Sequence, residues 1–373
     1  MKESQGSPRW RLGVFLVLGL AATGCQVVPD PGMSCPASEV VYHGFFVPPR
    51  LRWGTTAAAV PRTPFLGGDI GSHGYYMSLS EKDGIAYTCR GGHIDTMHAR
   101  IAADWTAYLA ARSFKHLMHG DPAFSYKMIA DRSRHYVQVS YPPNWQSLAP
   151  EQRRATAREV ALLLGPYLAY SMVTWHEIIT WHGFRSVGIV GEYQSAFSWE
   201  DGYSNLLGTI IAARALRDTK HSYDEAVKIA FDEEMQTLGV QPVEVARQAS
   251  ALVKGTWYTG SVGMTLKVKK RNLDTGWDDG FVTPCLVPNL PACRGAVPMS
   301  YPTPSLASLA RYGFSATVEI EPHEWEKGKI LRIVYPDGHG TRICPDAQFE
   351  TIVAHIRQEA VKKYGPEAVT PSP

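Results

Sequence analysis

The chain has 373 residues, 45% hydrophobic and 11% aromatic, with 37 basic against 35 acidic side chains. So much apolar surface excludes a disordered polyelectrolyte and is enough for one large core or two closely packed ones. The formal charge of +2 is small, and it falls to zero when residues 1–24 are set aside, which argues against a nucleic-acid partner.

The first element is a leader. Lys2, Arg9 and Arg11 precede an apolar run from Leu12 to Leu20 that ends in Ala-Ala-Thr-Gly-Cys25, the pattern of a secretory signal over 1–24. The run is too short to span a bilayer. A cysteine at the first position after the cut resembles the lipobox of bacterial lipoproteins, so Cys25 is the expected lipidation site. With Gln26 after it, the expected address is the cell envelope, in an outer-membrane lipoprotein that faces the periplasm and meets the membrane through its acyl chains.

Residues 25–66, rich in Pro and Gly, are expected to form a tether and an irregular arm. One α+β globular domain is expected over 67–364, with a helical part at 91–255 and a strand-rich part at 256–345, and 365–373 as a tail. Tyr75, Tyr76 and Met77, then Ile85, Ala86 and Tyr87, flank Asp83-Gly84 and predict a hairpin over 74–87. Gly91-Gly92 is expected to break the strand. Ile94, Met97, His98, Ile101, Trp105 and Tyr108 then recur at helical spacing and predict a helix over 93–113. A second hairpin over 124–141 is closed by Pro142-Pro143. The longest helical signal runs over 150–182, from Pro150 to the stop at Gly183, with a break or kink expected at Gly165-Pro166. Helices are predicted from Ser198 to Leu216, over 222–237, 241–254 and 346–363. Strands are predicted at Met264–Val268, Thr317–Ile320 and Ile330–Tyr335. Runs of helix separated from runs of strand mean α+β, a helical centre packed with short antiparallel hairpins.

Five cysteines follow Cys25. Cys285 and Cys293, which flank a loop containing Pro288 and Pro291, are the easiest pair to bridge, and Cys35, Cys89 and Cys344 are left without an assigned pairing.

Polar groups set among apolar helical positions are the candidates for chemistry. Asp95 and His98 stand three apart and share a helix face. Glu177 lies among Ile178, Thr180 and Trp181, where a carboxylate is costly to bury without a partner such as Arg100 or Arg185, or a metal ion. Glu200 and Asp201 open the next helix. Asp201, three places after Ser198, fits a capping box, and Glu200 suits the helix dipole. If these helices converge, Asp95, His98 and His176 supply metal ligands of the kind zinc takes, and Glu177 or Glu200 a proton acceptor. His176 and His182 are six apart, which is not the metalloprotease spacing.

Three blocks carry a resemblance: Gly91-Gly92-His93-Ile94-Asp95 with His98 and Arg100, then Glu177-Ile178-Ile179-Thr180-Trp181 with Gly183, then Ser195-Ala196-Phe197-Ser198 with Glu200-Asp201 and Ser204-Asn205. They resemble a family of bacterial lipoproteins, the domain of unknown function 4056, over about residues 40–345. An aromatic residue is common in that family where this chain has His93 or His182, which makes those two histidines the weakest ligand candidates. The resemblance implies no activity.

The expected function is a metal-assisted hydrolase acting on a cell-envelope substrate, with one divalent ion, zinc favoured. Two alternatives stand beside it. One is a non-catalytic envelope structural or assembly protein whose Tyr and Trp face a glycan or protein partner. The other is a cysteine or serine hydrolase that pairs His73 with Cys89 or uses Ser204.

Overall fold

The computed structural model describes residues 35–43, 48–49, 52, 55–58, 63–74, 81–128, 131–186, 190–191, 193–260 and 266–369. Three helices form its centre: α1 (Thr96–His119), α2 (Pro150–Trp181) and α3 (Asp201–Ala215). Each packs on the other two, with α1 making the broadest contacts. Two glycines permit this approach. A Cβ at Gly208 of α3 would overlap the Ala99 carbonyl oxygen of α1, and one at Gly165 of α2 would lie 2.7 Å from the Ala110 Cβ. Helix α4 (Tyr223–Thr237) covers α3, and α5 (Val243–Leu252) packs beside the first sheet.

The helix starts follow from local chemistry. Asp95 caps α1 by accepting from the backbone N–H groups of Met97 and His98, and Gly120 ends that helix in the left-handed region at φ 73°. Ser222 and Glu225 form a capping box on α4, and prolines open α2 and α7 (Pro345–Tyr364). Between these last two in the chain lies α6 (Lys327–Val334).

Small sheets surround the helices. Strand β1 (Phe65–Leu66) runs parallel to β2 (Ile85–Thr88), which pairs antiparallel with β3 (Gly92–Asp95) so that Ile85 faces Asp95. Strands β4 (Ala123–Lys127) and β5 (Arg134–Ser140) form the hairpin expected over 124–141. The short pairs β6 (Arg185–Ser186) with β7 (Val190–Gly191), β8 (Tyr258–Thr259) with β9 (Lys267–Val268), and β10 (Phe281–Val282) with β11 (Tyr301–Pro302) follow. Strand β12 (Ser315–Glu321) then returns to pair with β5. The molecule is thus a mixed α+β fold with a helical core and several small sheets, and β12 ties the strand-rich stretch to the helical one.

Several expectations need correction. The hairpin placed over 74–87 lies one step later: β2 pairs with β3, Gly91 closes the turn and Gly92, paired with Thr88, opens β3 instead of breaking a strand. Residues 75–80, expected in its first strand, and Met264 lie outside the described residues. Helix α2 runs unbroken through Pro166. The ring removes one helical hydrogen bond, a cost of about 3 kcal/mol, which is offset by burial of nearly every side chain from Val160 to Trp181. Residues Ile330–Tyr335 are helical up to Val334: the run is apolar and β-branched, but it buries Ile330 on one helix face against α7. Residues 37–43 make two short helical turns whose Ala37, Val40 and Val41 are fully buried, and near the other end Ala368 accepts from the Arg271 N–H. The arm and the start of the tail therefore pack against the body.

The expected Cys285–Cys293 bridge is not formed. Cys293 is bonded to Cys89, with Cα atoms 5.1 Å apart, because the β2–β3 turn brings Cys89 against the 285–296 segment, where its Sγ also meets the Ala292 carbonyl. Cys285 is instead buried beside Gly92, whose Cβ would overlap the Cys285 carbonyl oxygen.

Candidate functional site

At the N-terminal ends of α1 and α3 the fold gathers four buried carboxylates around one histidine. Asp95 is fully buried at the junction of β3 and α1. Its Oδ1 accepts the capping N–H bonds, so Oδ2 is left to face inward, where the Thr55 hydroxyl donates to it at 2.6 Å. One turn later the His98 Nδ1 lies 2.9 Å from that Oδ2 and 3.6 Å from Asp201 Oδ1 on α3. These three ligand-type atoms all lie within 4.8 Å of one another. Nδ1 is buried yet makes no hydrogen bond of sound geometry with either oxygen, the condition of a group aimed at something between the carboxylates.

Two further acids complete the group. Glu177, on the last turns of α2, accepts the Phe197 backbone N–H at 2.6 Å. Phe197 is held in the left-handed region at φ 52°, costing about 1–3 kcal/mol for so bulky a residue. That turn delivers Glu200 and Asp201 to the cluster. Glu200 is fully buried, with Oε1 accepting the Ala57 N–H at 2.8 Å and Oε2 unpartnered. One helical turn beyond Asp201, the Asn205 Oδ1 is likewise buried without a partner.

Charge follows geometry. Burial works against a charged His98, but Asp201, Asp95 and Glu177 overrule it and hold its pKa well above the ordinary histidine value. Burial also opposes the Asp95 carboxylate, yet His98 and the bonds from Thr55 and the Met97 N–H keep its pKa below the usual range. Asp201 is pushed well up by burial and by its neighbours Glu177, Glu200 and Asp95, His98 notwithstanding. Glu200 rises to about 7 through burial, with Asp95 adding repulsion and the Ala57 N–H opposing. Arg271, buried and within the field of Asp201, spends its guanidinium on the carbonyls of Gln194, Ala196 and Val268. A region so short of positive charge is suited to a cation.

Of the residues singled out in the sequence, Asp95, His98, Glu177 and Glu200 come together. His176 does not join them: it leaves α2 on another side, with Nδ1 3.7 Å from Asp131 Oδ2. Asp201 takes the place expected for His176. Its fit to a capping box misled, because α3 begins at Asp201 itself, with Glu200 as its unbonded cap. Arg100 is no partner for Glu177, since it binds Asp83 and the Ile70 and Ser72 carbonyls.

The hydrolase arrangement built on His73 is not formed either. Cys89 is in the disulfide, and His73 has both ring nitrogens on carboxylates, Asp104 at 2.9 Å and Asp224 at 2.7 Å. Ser204 donates to the Glu200 carbonyl and accepts the Asp95 N–H, so it supports the backbone beneath the cluster. His93 accepts the Trp199 indole N–H, and burial drives its pKa down to about 3.

Fold and site together define an α+β protein with a buried carboxylate–histidine centre between helix N-termini. The chain belongs to the family described as protein of unknown function (DUF4056), which matches residues 65–279, more than half its length and the whole of this cluster. No curated protein and no solved structure matches it. The address expected from the first 25 residues is corrected here. The family's description carries nothing of a lipoprotein, an acyl anchor, the periplasm or the outer membrane. Among the described residues no helix is long and apolar enough to cross a membrane. The leader and Cys25 lie outside the described residues.

Proposed function

We propose that the cluster of Asp95, His98 and Asp201 binds a divalent cation and that the protein is a metal-assisted hydrolase. The observation that carries this is the convergence of three ligand-type atoms within 4.8 Å of one another, with the buried His98 Nδ1 2.9 Å from Asp95 Oδ2 and 3.6 Å from Asp201 Oδ1 but aligned for a good hydrogen bond with neither. One imidazole with an excess of carboxylates is a hard, oxygen-rich donor set, which favours manganese or magnesium over the zinc expected from sequence. Such an ion supplies Lewis acidity and brings the pKa of a water molecule it holds down towards neutrality. The protein's own part is positional. Asp95, fixed by the α1 cap, and Asp201 hold the cation against His98. Glu200, with a free Oε2 and a pKa near 7, is the proton acceptor. Glu177 braces the Phe197 turn that carries Glu200.

Elemental analysis and thermal melting of the full chain with and without manganese test this. One equivalent of metal is expected in the parent, with stabilisation of about 2.7 kcal/mol at a hundredfold excess over Kd. His98→Ala and Asp201→Asn lose both, while Glu200→Gln keeps the metal and loses turnover on a panel of activated esters and phosphate esters. A parent that neither holds nor responds to any divalent ion sinks the proposal and favours the structural alternative.

A further inference from the structure

Two carboxylates of the centre are held by a piece of chain that belongs to none of the helices or sheets. Thr55 of the arm gives its hydroxyl to Asp95 Oδ2 at 2.6 Å, and the Ala57 N–H goes to Glu200 Oε1 at 2.8 Å. Asp95 and Glu200 stand at the N-cap positions of α1 and α3, so residues 55–58 form a strap from one helix start to the other. The strap is seated in three ways. Ala57 and Ala58 are fully buried in an apolar cluster with Ile85, Tyr87 and Trp199. Ser250 of α5 gives its hydroxyl to the Ala57 carbonyl. Ahead of Thr55, the Arg52 guanidinium is buried on Asp104 of α1 at 2.6 Å and on Glu81 at 3.0 Å.

The Thr55 bond falls on the atom that matters for a cation. Asp95 Oδ1 is committed to the Met97 and His98 N–H groups, and Oδ2 is the oxygen that lies 2.9 Å from His98 Nδ1. Among the described residues the Thr55 hydroxyl is the one group that donates a well-formed hydrogen bond to Oδ2. A donor held on a carboxylate oxygen fixes the direction of the remaining lone pair, and removing such a partner from a metal ligand costs about 10- to 100-fold in affinity. At Glu200 the same strap fixes Oε1 and leaves Oε2 free. One short segment therefore orients both a ligand and the proposed proton acceptor.

We infer that the strap is a working part of the cation centre: Thr55 is a positioning residue for Asp95, and the seating of residues 55–58 and the binding of the ion strengthen each other. The inference rests on the cation-binding function proposed above. Nothing in it requires Thr55 to touch the ion. Linkage makes the effect reciprocal, so the factor by which the seated strap raises the ion's affinity is the factor by which the ion favours the seated strap. A strap that instead plugs the centre and leaves as the ion enters would reverse both signs.

The test is manganese titration of the full chain by calorimetry, well below the melting range, with hydrogen exchange read at the Ala57 amide. Thr55→Val keeps the shape of the side chain and removes the hydroxyl, Thr55→Ser keeps the hydroxyl, and Ser250→Ala loosens the strap without touching a carboxylate of the centre. Thr55→Val is expected to weaken manganese by about tenfold or more, Thr55→Ser to bind like the parent, and Ser250→Ala to weaken binding in the same direction. Saturating manganese is expected to slow exchange at Ala57 by more than it slows the amides of β5, an excess that Thr55→Val removes. Equal affinities in the parent, Thr55→Val and Ser250→Ala overturn the inference. So does tighter binding by Thr55→Val, or faster exchange at Ala57 in manganese, either of which marks a plug. If neither the parent nor any variant binds a divalent ion, the cation centre fails and the strap's role fails with it; if the parent binds manganese and the strap is indifferent to it, the strap's role alone fails.

Discussion

At the scale of single residues, buried histidines behave here according to their neighbours. Burial pushes His93 down to about 3 with nothing opposing it, and His135 down to about 4 with only Asp131 acting the other way. For His73 burial also disfavours charge, but Asp104 and Asp224 overcome it and raise its pKa. Around it Arg52 binds Asp104 at 2.6 Å and Glu81 at 3.0 Å, so one network pins Arg52 of the arm to α1. A histidine raised in the folded state stabilises fully below its unfolded pKa of about 6.5 and loses that contribution as pH rises through the folded value. His73→Gln is therefore expected to destabilise by on the order of 3 kcal/mol at pH 6 and by progressively less towards pH 9. Urea melts of the parent and variant across that range measure the difference, and a gap that does not narrow with pH contradicts a charged His73.

At the scale of elements, the close packing of α1 on α3 depends on Gly208. Gly208→Val drives side-chain carbon into the Ala99 carbonyl and is expected to cost about 1–3 kcal/mol. Gly202→Ala, on the same helix, meets only the Asn272 carbonyl oxygen at 3.9 Å and is expected to gain up to about 1 kcal/mol from helix propensity. Paired melting curves decide, and equal effects would deny the packing role. The same elements show where the sequence was legible. Asp95 and His98 could be paired because three residues on a helix share a face, a local fact. Asp201 could not be assigned to them, since its partner is about a hundred residues away and its neighbours imitate a cap. His176 and Glu177 look interchangeable in the sequence, yet adjacent helix positions point about 100° apart, so Glu177 meets the Phe197 N–H and the cluster while His176 faces Asp131. The β4–β5 hairpin and α4 lie close to where they were expected, and both carry local signals: buried side chains alternate along β4 and β5, and Ser222 with Glu225 caps α4. The unbroken α2 and the helical 327–334 stretch were not legible, because burial against other helices overrode proline and β-branched preference.

At the scale of the whole molecule, the Cys89–Cys293 bridge closes a loop across 204 positions. Reduction, or Cys89→Ser, is expected to lower stability by about 2–5 kcal/mol through a freer unfolded chain. Denaturation with and without reductant reads this directly, and coincident curves would mean that the bridge contributes nothing. Inside the loop lie the three central helices and every residue of the cluster from Asp95 to Asp201. The protein is in effect a covalent ring with two free ends, and a ring must be cut twice before it falls apart. A protease that severs any one surface connection between Arg90 and Ala292 leaves both pieces tethered at high local concentration, so a single nick inside the ring does not free either half of the cluster while the bridge is intact.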